Sequence, residues 1–246
     1  MKIAIVTGAS SGLGREFALQ ISARYGKLDE IWVIARRKER LEQLADMIRI
    51  PVKVIDMDVT DLKQVDAFKK ELEDIKPDVR ILVNAAGYGK IGRFEELDLE
   101  EQLQMVNLNC IALTRFTGLV LPYMKKGRII NIASSAAFSP QANFAVYAAS
   151  KAYVLSFSRG IGAELSDRGI TVTAVCPGPV ETEFFDVAGD SFKNLKMAKP
   201  DDVVYRALSD AAAGFDVSVY GITMKAARAA AKVIPHKLIV NAFKKL

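Results

Sequence analysis

Thr7-Gly8-Ala9-Ser10-Ser11-Gly12-Leu13-Gly14 follows directly on the apolar run Lys2–Thr7 and opens an amphipathic segment. The glycines let the backbone turn tightly and approach a pyrophosphate. The helix that follows offers N–H groups without helical partners and the positive end of its dipole. The spacing is GxxxGxG, a departure from GxGxxG, and glycines also serve helix–strand packing. It is the position after the first strand that makes Gly8, Ser10, Ser11, Gly12, Leu13 and Gly14 candidate nucleotide contacts.

Working outward, short β-branched runs alternate with longer amphipathic segments. The runs Lys2–Thr7, Glu30–Ala35, Val52–Asp56, Arg80–Val83, Arg128–Ala133, Thr171–Cys176 and Val217–Tyr220 read as strands. Helices are expected at about 12–26, 37–49, 61–75, 99–125, 147–167 and 201–213. Alternating β and α units imply an α/β fold, a doubly wound parallel sheet (Rossmann fold) with helices on both faces and ligands at the carboxyl ends of the strands. Without a linker or repeat, residues 1–221 read as one catalytic domain. Residues 222–246 read as a basic amphipathic helical tail, broken near Pro235.

The end of the second strand reports on the cofactor. An Asp or Glu there would bind the ribose 2′-hydroxyl of NAD, whereas the chain has Ile34-Ala35-Arg36-Arg37. A carboxylate repels a 2′-phosphate, and a guanidinium binds one through paired, charge-assisted hydrogen bonds. NADP(H) is therefore preferred over NAD(H), with Arg36 the main contact and Arg37 and Arg15 further candidates. The bland alternative is a solvated helix start. Asp58-Val59 after the third strand and Asn84-Ala85-Ala86-Gly87 after the fourth suit the adenine side, although each could simply be a turn.

Tyr147-Ala148-Ala149-Ser150-Lys151 places a phenol and an ammonium at i and i+4, on one helix face. A free tyrosine with a pKa near 10 is roughly 4 kcal/mol from ionising at neutrality. A cation about 4 Å away at an effective dielectric of about 20 contributes roughly that much. Such a tyrosine is a usable general acid/base. Ser134 ends the fifth strand thirteen residues earlier, and Asn107 lies in the long helix before it.

The ordered set TGASSGLG, DVTD, NAAG, Asn107, NIASSAAF, YAASK and PGPVETEF resembles the short-chain dehydrogenase/reductase family over residues 2–185. The resemblance implies that Tyr147 exchanges a proton with the substrate oxygen while hydride moves to or from nicotinamide. It implies that Lys151 lowers the Tyr147 pKa and binds the nicotinamide ribose, and that Ser134 hydrogen-bonds the substrate oxygen. Asn107 would hold a relay water through its helix backbone. Pro177, Gly178, Val180 and Thr182 would position the nicotinamide carboxamide, and Asn84 would steady the sheet.

Three features depart from the family pattern. Ala137 replaces a common glycine, Ser135 adjoins Ser134, and the Gly-Gly ending of acyl-carrier-protein reductases is absent, so fatty-acid synthesis is not the first choice of pathway. The resemblance also implies a homodimer or homotetramer paired through 99–125 and 147–167.

Composition excludes other classes. The two cysteines, Cys110 and Cys176, form no CxxC, and His236 is the single histidine, so no metal site is expected. The opening residues are too short for a signal-peptide core, and no run of about twenty apolar residues suggests a membrane span. The reading is a cytoplasmic protein. The net charge of +5 lies in the tail: residues 217–246 hold six of the 34 basic residues and no acidic ones, leaving 28 basic against 29 acidic elsewhere. This argues against nucleic-acid binding. The tail packs on the domain or another subunit with a solvated basic face, or else caps the cleft or rests on an anionic membrane surface.

Phe184, Phe185, Val187 and Phe192 either line a pocket for a hydrophobic small-molecule carbonyl or alcohol substrate or pack a lid. The alternative to an enzyme is an NADP(H)-binding redox sensor without turnover, which would have little need for the four catalytic residues. A sugar-nucleotide epimerase or dehydratase is disfavoured by chain length and by the glycine spacing.

Overall fold

The computed structural model describes residues 1–188 and 197–243. Seven strands, β1 (Lys2–Thr7), β2 (Glu30–Ala35), β3 (Val52–Asp56), β4 (Asp78–Asn84), β5 (Gly127–Ile132), β6 (Ile170–Val175) and β7 (Val217–Ser218), form one parallel sheet in the order β3-β2-β1-β4-β5-β6-β7. The chain reverses its direction of winding between β1 and β4, which opens a crevice above their carboxyl ends. The doubly wound sheet expected from the alternating pattern is thus the observed one.

Helices α1 (Gly12–Arg24), α2 (Lys38–Ala45) and α8 (Pro200–Ala212) cover one face. The other carries α3 (Leu62–Ile75), α5 (Leu113–Val120) and α6 (Ala145–Leu165). Period-two alternation divides each strand between two cores. Ala4 and Val6 join Phe17, Ile21 and Val204, whereas Ile3 and Ile5 join Trp32, Phe68 and Phe116. Phe68 stacks on Phe116 at 5.1 Å and meets Trp32 edge-on at 6.1 Å, contacts worth about 0.5–1.5 kcal/mol each beyond area burial.

The helix expected over 99–125 is not uniform. It runs as α4 (Leu99–Val106), a π-helical stretch Asn107–Ala112, α5 and a short 3-10 turn Leu121–Tyr123. By length and composition Leu99–Tyr123 would pass for a membrane span, contrary to the sequence reading. Met105, Leu113, Phe116 and Val120 are nevertheless buried, Phe116 and Val120 in the core they share with Trp32 and Phe68. Strand β4 begins two residues earlier than expected because Asp78 N–H donates to Met1 C=O. Strand β7 is two residues shorter than expected at its carboxyl end, and as the edge strand it has only β6 to pair with.

Two short helices end the chain, α9 (Ile222–Ala230) and α10 (His236–Phe243), on either side of Pro235. Neither contains a buried residue among those described. Met224 of α9 reaches the body, where its sulfur lies 2.6 Å from the point a Cβ on Gly178 would occupy.

Candidate active site

The glycine loop is built as much for packing as for ligand. A Cβ on Gly14 would overlap the carbonyl of Gly8, and one on Gly8 would lie 2.7 Å from the backbone nitrogen of Ala86. Gly8 and Gly12 hold φ of +68° and +51°, conformations that favour glycine. Thr7 Oγ1 accepts from the N–H groups of Ala85 and Ala86 at 3.1 and 3.3 Å, tying β1 to the loop after β4. Ser11 stands at the N-cap of α1 without a capping bond from its hydroxyl to the first turn, and that turn holds no acidic residue. The N–H groups of that turn and the narrow backbone cradle fit a dinucleotide pyrophosphate.

The arginines after β2 are already engaged. Arg36 is exposed, with 76 % of its side-chain surface accessible, and lies 3.7 Å from Asp58. Asp58 also accepts from Thr60 N–H and Oγ1–H at 2.8 and 2.6 Å. Arg37 donates to Ser10 Oγ through Nε and Nη2 at 3.2 and 3.1 Å, to Ser11 Oγ at 2.7 Å and to Glu183 at 2.8 Å. Arg40, which the sequence reading passed over, also binds Glu183. Arg15 points instead to Met47 Sδ at 3.0 Å. Val59 is buried, and Gly87 lies between Lys151 and Asn109.

Asn84 does not present its side chain to a cofactor. It is buried and donates to Thr117 Oγ1 at 3.1 Å and Asn131 Oδ1 at 2.8 Å, while Asn131 donates to Ser158 Oγ at 2.9 Å. This lattice ties β4 and β5 to α5 and α6. The Asn84 side chain cross-links the sheet, the steadying role that the family resemblance implies for it.

Tyr147 and Lys151 rise from the first turns of α6 beside Ser134. Tyr147 is only 7 % exposed. Burial pushes its phenol up to about 12, against a downward pull from the neighbouring Ser134 hydroxyl. Ser134 Oγ accepts from Ala136 N–H at 3.1 Å, so its own proton remains available for an oxygen at Tyr147. Burial also brings Lys151 down to about 8. Its Nζ donates to the Ile132 carbonyl at 2.8 Å and lies 5.7 Å from the Tyr147 ring centroid. The expected lowering of the Tyr147 pKa by Lys151 is therefore not what this geometry shows. The ammonium is turned to a carbonyl, and desolvation of the phenol dominates.

Asn107 opens the π-helical stretch, half-buried, with no side-chain hydrogen bond among the described residues. The asparagine that enters the site is Asn109, 1 % exposed. It donates to Tyr88 C=O at 2.9 Å and Ser150 Oγ at 3.0 Å, and accepts from Tyr88 N–H at 3.2 Å. A π-helical turn holds an extra residue and often marks a functional site. Nothing in the spacing distinguished Asn109 from its neighbour two residues away.

The far wall is pinned to the catalytic loop, since Ser135 N–H donates to Pro177 C=O at 2.8 Å. Val180 is buried and its residue bridges to Ala198. Thr182 Cγ2 would stand 3.2 Å from a Cβ on Gly12, so this segment closes over the glycine loop. Helix α7 (Phe184–Ala188) follows. The Phe184 ring lies 5.5 Å from that of Tyr147, and Phe144 stacks on Tyr147 from another side at 4.2 Å. Phe185 meets Phe184 edge-on. Phe192 lies outside the described residues. Among those described, no cluster of His, Cys, Asp and Glu could hold a metal, and both buried cysteines are free.

The family model described as short chain dehydrogenase matches residues 2–191. The chain belongs to the short-chain dehydrogenase/reductase family. An uncharacterized oxidoreductase of Staphylococcus epidermidis is 32 % identical over 214 residues, which is 85 % of this chain and 91 % of that one. A short-chain dehydrogenase from Sphingobium yanoikuyae, solved with NADPH, superimposes with a TM-score of 0.85 at 31 % identity, covering 97 % and 95 % of the two chains. The 3-ketoacyl-(acyl-carrier-protein) reductase of Brucella melitensis, solved with NADH, gives 0.77 at 28 % identity, covering 90 % and 96 %. This short-chain dehydrogenase/reductase is thus an oxidoreductase of a family whose solved members hold either nicotinamide dinucleotide.

Proposed function

We propose that the protein is an NADP(H)-dependent carbonyl reductase or alcohol dehydrogenase acting on a hydrophobic small molecule, with Tyr147 as general acid/base. The observation that carries this reading is the buried Tyr147 phenol beside Ser134 at the carboxyl end of the sheet, one helical turn before Lys151. A phenol pushed up to about 12 is fully protonated at neutral pH. It is therefore a proton donor in waiting.

In the reducing direction, Ser134 and Tyr147 hold the carbonyl oxygen by hydrogen bonds, polarising it. NADP(H), when bound, supplies or accepts the hydride. As the oxygen gains charge, Tyr147 gives up its proton to it, and Lys151, ionised below about pH 8, would stabilise the phenolate by turning its ammonium from the Ile132 carbonyl toward the phenol. Asn107 serves the return of that proton by holding a water through the helix backbone, as its resemblance to the family implies. Phe144 and Phe184, packed against Tyr147, favour an apolar substrate. Leu103, Ile111 and Tyr153 stand exposed on α4, the π-helical stretch and α6, and supply the apolar face for a homodimer or homotetramer.

Oxidation of NADPH and NADH against a panel of aldehydes, ketones and diketones tests the reading, with Tyr147→Phe alongside. Turnover with NADPH, weaker with NADH and lost in the variant, is expected. Tight NADPH binding without any turnover would favour the sensor alternative.

A further inference from the structure

A carboxylate stands where a phosphate is expected. Glu183 accepts from Arg37 at 2.8 Å and also binds Arg40, although 146 and 143 residues separate these partners. With Arg36 beside Asp58, each cation following β2 already has an internal carboxylate. Arg37 is held from its other side by Ser10 and Ser11 of the glycine loop, so Glu183 occupies the outward branch of a guanidinium fixed at the nucleotide cleft. Both arginines hold the Glu183 carboxyl below its ordinary pKa, and it is ionised at neutral pH.

We propose that Glu183 sets cofactor selectivity from the substrate side of the cleft, its carboxylate competing with the 2′-phosphate for Arg37 and Arg40. The inference rests on the reading that the cations after β2 meet that phosphate. An NAD-type site puts its discriminating carboxylate at the end of β2, and here the chain brings one from the segment after β6 instead. A 2′-hydroxyl is accommodated beside Glu183 and can donate to it. A doubly charged phosphate must displace it, because two anions cannot share one guanidinium branch without repulsion. The pair is weak enough to yield, since Glu183 is 44 % exposed and exposed ion pairs contribute little.

Displacement has a second effect. Glu183 immediately precedes Phe184, which covers Tyr147. Freeing Glu183 loosens the tether of the segment that screens the phenol, so 2′-phosphate binding and substrate entry assist one another. By linkage, the assistance is reciprocal.

The test uses 2′,5′-ADP and 5′-ADP as probes, titrated calorimetrically into the wild-type protein and Glu183→Gln. The neutral isostere should tighten 2′,5′-ADP about three- to tenfold and leave 5′-ADP within about twofold, in line with the small strength of exposed pairs. Near-UV circular dichroism verifies the fold, and Glu183→Asp, which retains the charge, should behave as wild type. If 2′,5′-ADP binds tightly to wild type and equally to Glu183→Gln, the role of Glu183 is overturned while NADP preference stands. If 2′,5′-ADP binds no better than 5′-ADP to either protein, the NADP reading falls and takes the inference with it.

Discussion

Asn109 and Ser150 are joined by a 3.0 Å hydrogen bond, and Ser150 passes it on to the Tyr147 carbonyl at 2.8 Å. Through Tyr88, the same asparagine grips the loop after β4. The turn of α6 between the phenol and the ammonium is thereby fixed to the cleft floor. Asn109→Leu removes three hydrogen bonds of a buried group and strands its partners. It should cost about 2–4 kcal/mol, at 1–3 kcal/mol for each buried group left without a partner. Denaturant titration would show this as a lower midpoint, and kcat should fall more than NADPH affinity. Unchanged stability would remove Asn109 from this positioning role.

Lys151 gives the ligand-free protein a pH signature. Its folded value of about 8 lies below the ordinary 10.5. Between those values the unfolded chain holds a proton that the folded chain has released, so stability rises with pH across that window. The gain is up to roughly 3 kcal/mol, at about 1.4 kcal/mol per pH unit. Below pH 8 both states are protonated and the full cost of burying the ammonium applies. Tyr147 acts in the opposite sense above pH 10, because its folded value near 12 lets the unfolded chain ionise first. Urea midpoints from pH 7 to 10 should rise for wild type relative to Lys151→Met, and parallel curves would refute the assignment.

Gly89 lets Tyr147 and Phe184 close on each other. A Cβ there would lie 2.7 Å from Tyr147 Cδ2 and 2.8 Å from Phe184 Cζ. Gly89→Ala should lower kcat at least tenfold, a barrier change of about 1.4 kcal/mol. NADPH affinity should shift less than twofold, since Gly89 touches the substrate side. Equal losses in both quantities would contradict that division.

Phe184→Ala opens the cover over the phenol. Bulky aryl ketones should gain about three- to tenfold in kcat/KM over small aldehydes, the discrimination available from a few methylene equivalents of pocket volume. An unchanged ratio across the panel would mean that Phe184 packs the segment without shaping the pocket.

The first three strands were legible to the residue, because each is a short run rich in β-branched residues bounded by polar joints. The grouping of the candidate site was legible too, since Tyr147 and Lys151 are local in sequence and Ser134 follows a strand end. What escaped detection depends on distance or on helix geometry. Glu183 meets Arg37 across 146 residues, and no local pattern announces such a pair. The π-helical stretch keeps the apolar composition of a regular helix, so Asn109 looked no different from Asn107. Asn84 sits in a motif that already implied a role in steadying the sheet, and the structure supplies its partners, Thr117 and Asn131.

The π-helical turn at Asn107–Ala112 absorbs an extra residue between α4 and α5. Each residue of an α-helix advances the azimuth by about 100°. Deleting one residue there would leave composition, apolar content and helical propensity almost intact. Yet with α5 anchored on the sheet by Phe116 and Val120, it would close the turn to a regular α-helix, leave Gln102 and Met105 facing the core and remove the wide turn that carries Asn109. A one-residue gap in this stretch of a homologue would therefore signal a lost Asn109 anchor, even where Ser134, Tyr147 and Lys151 are retained.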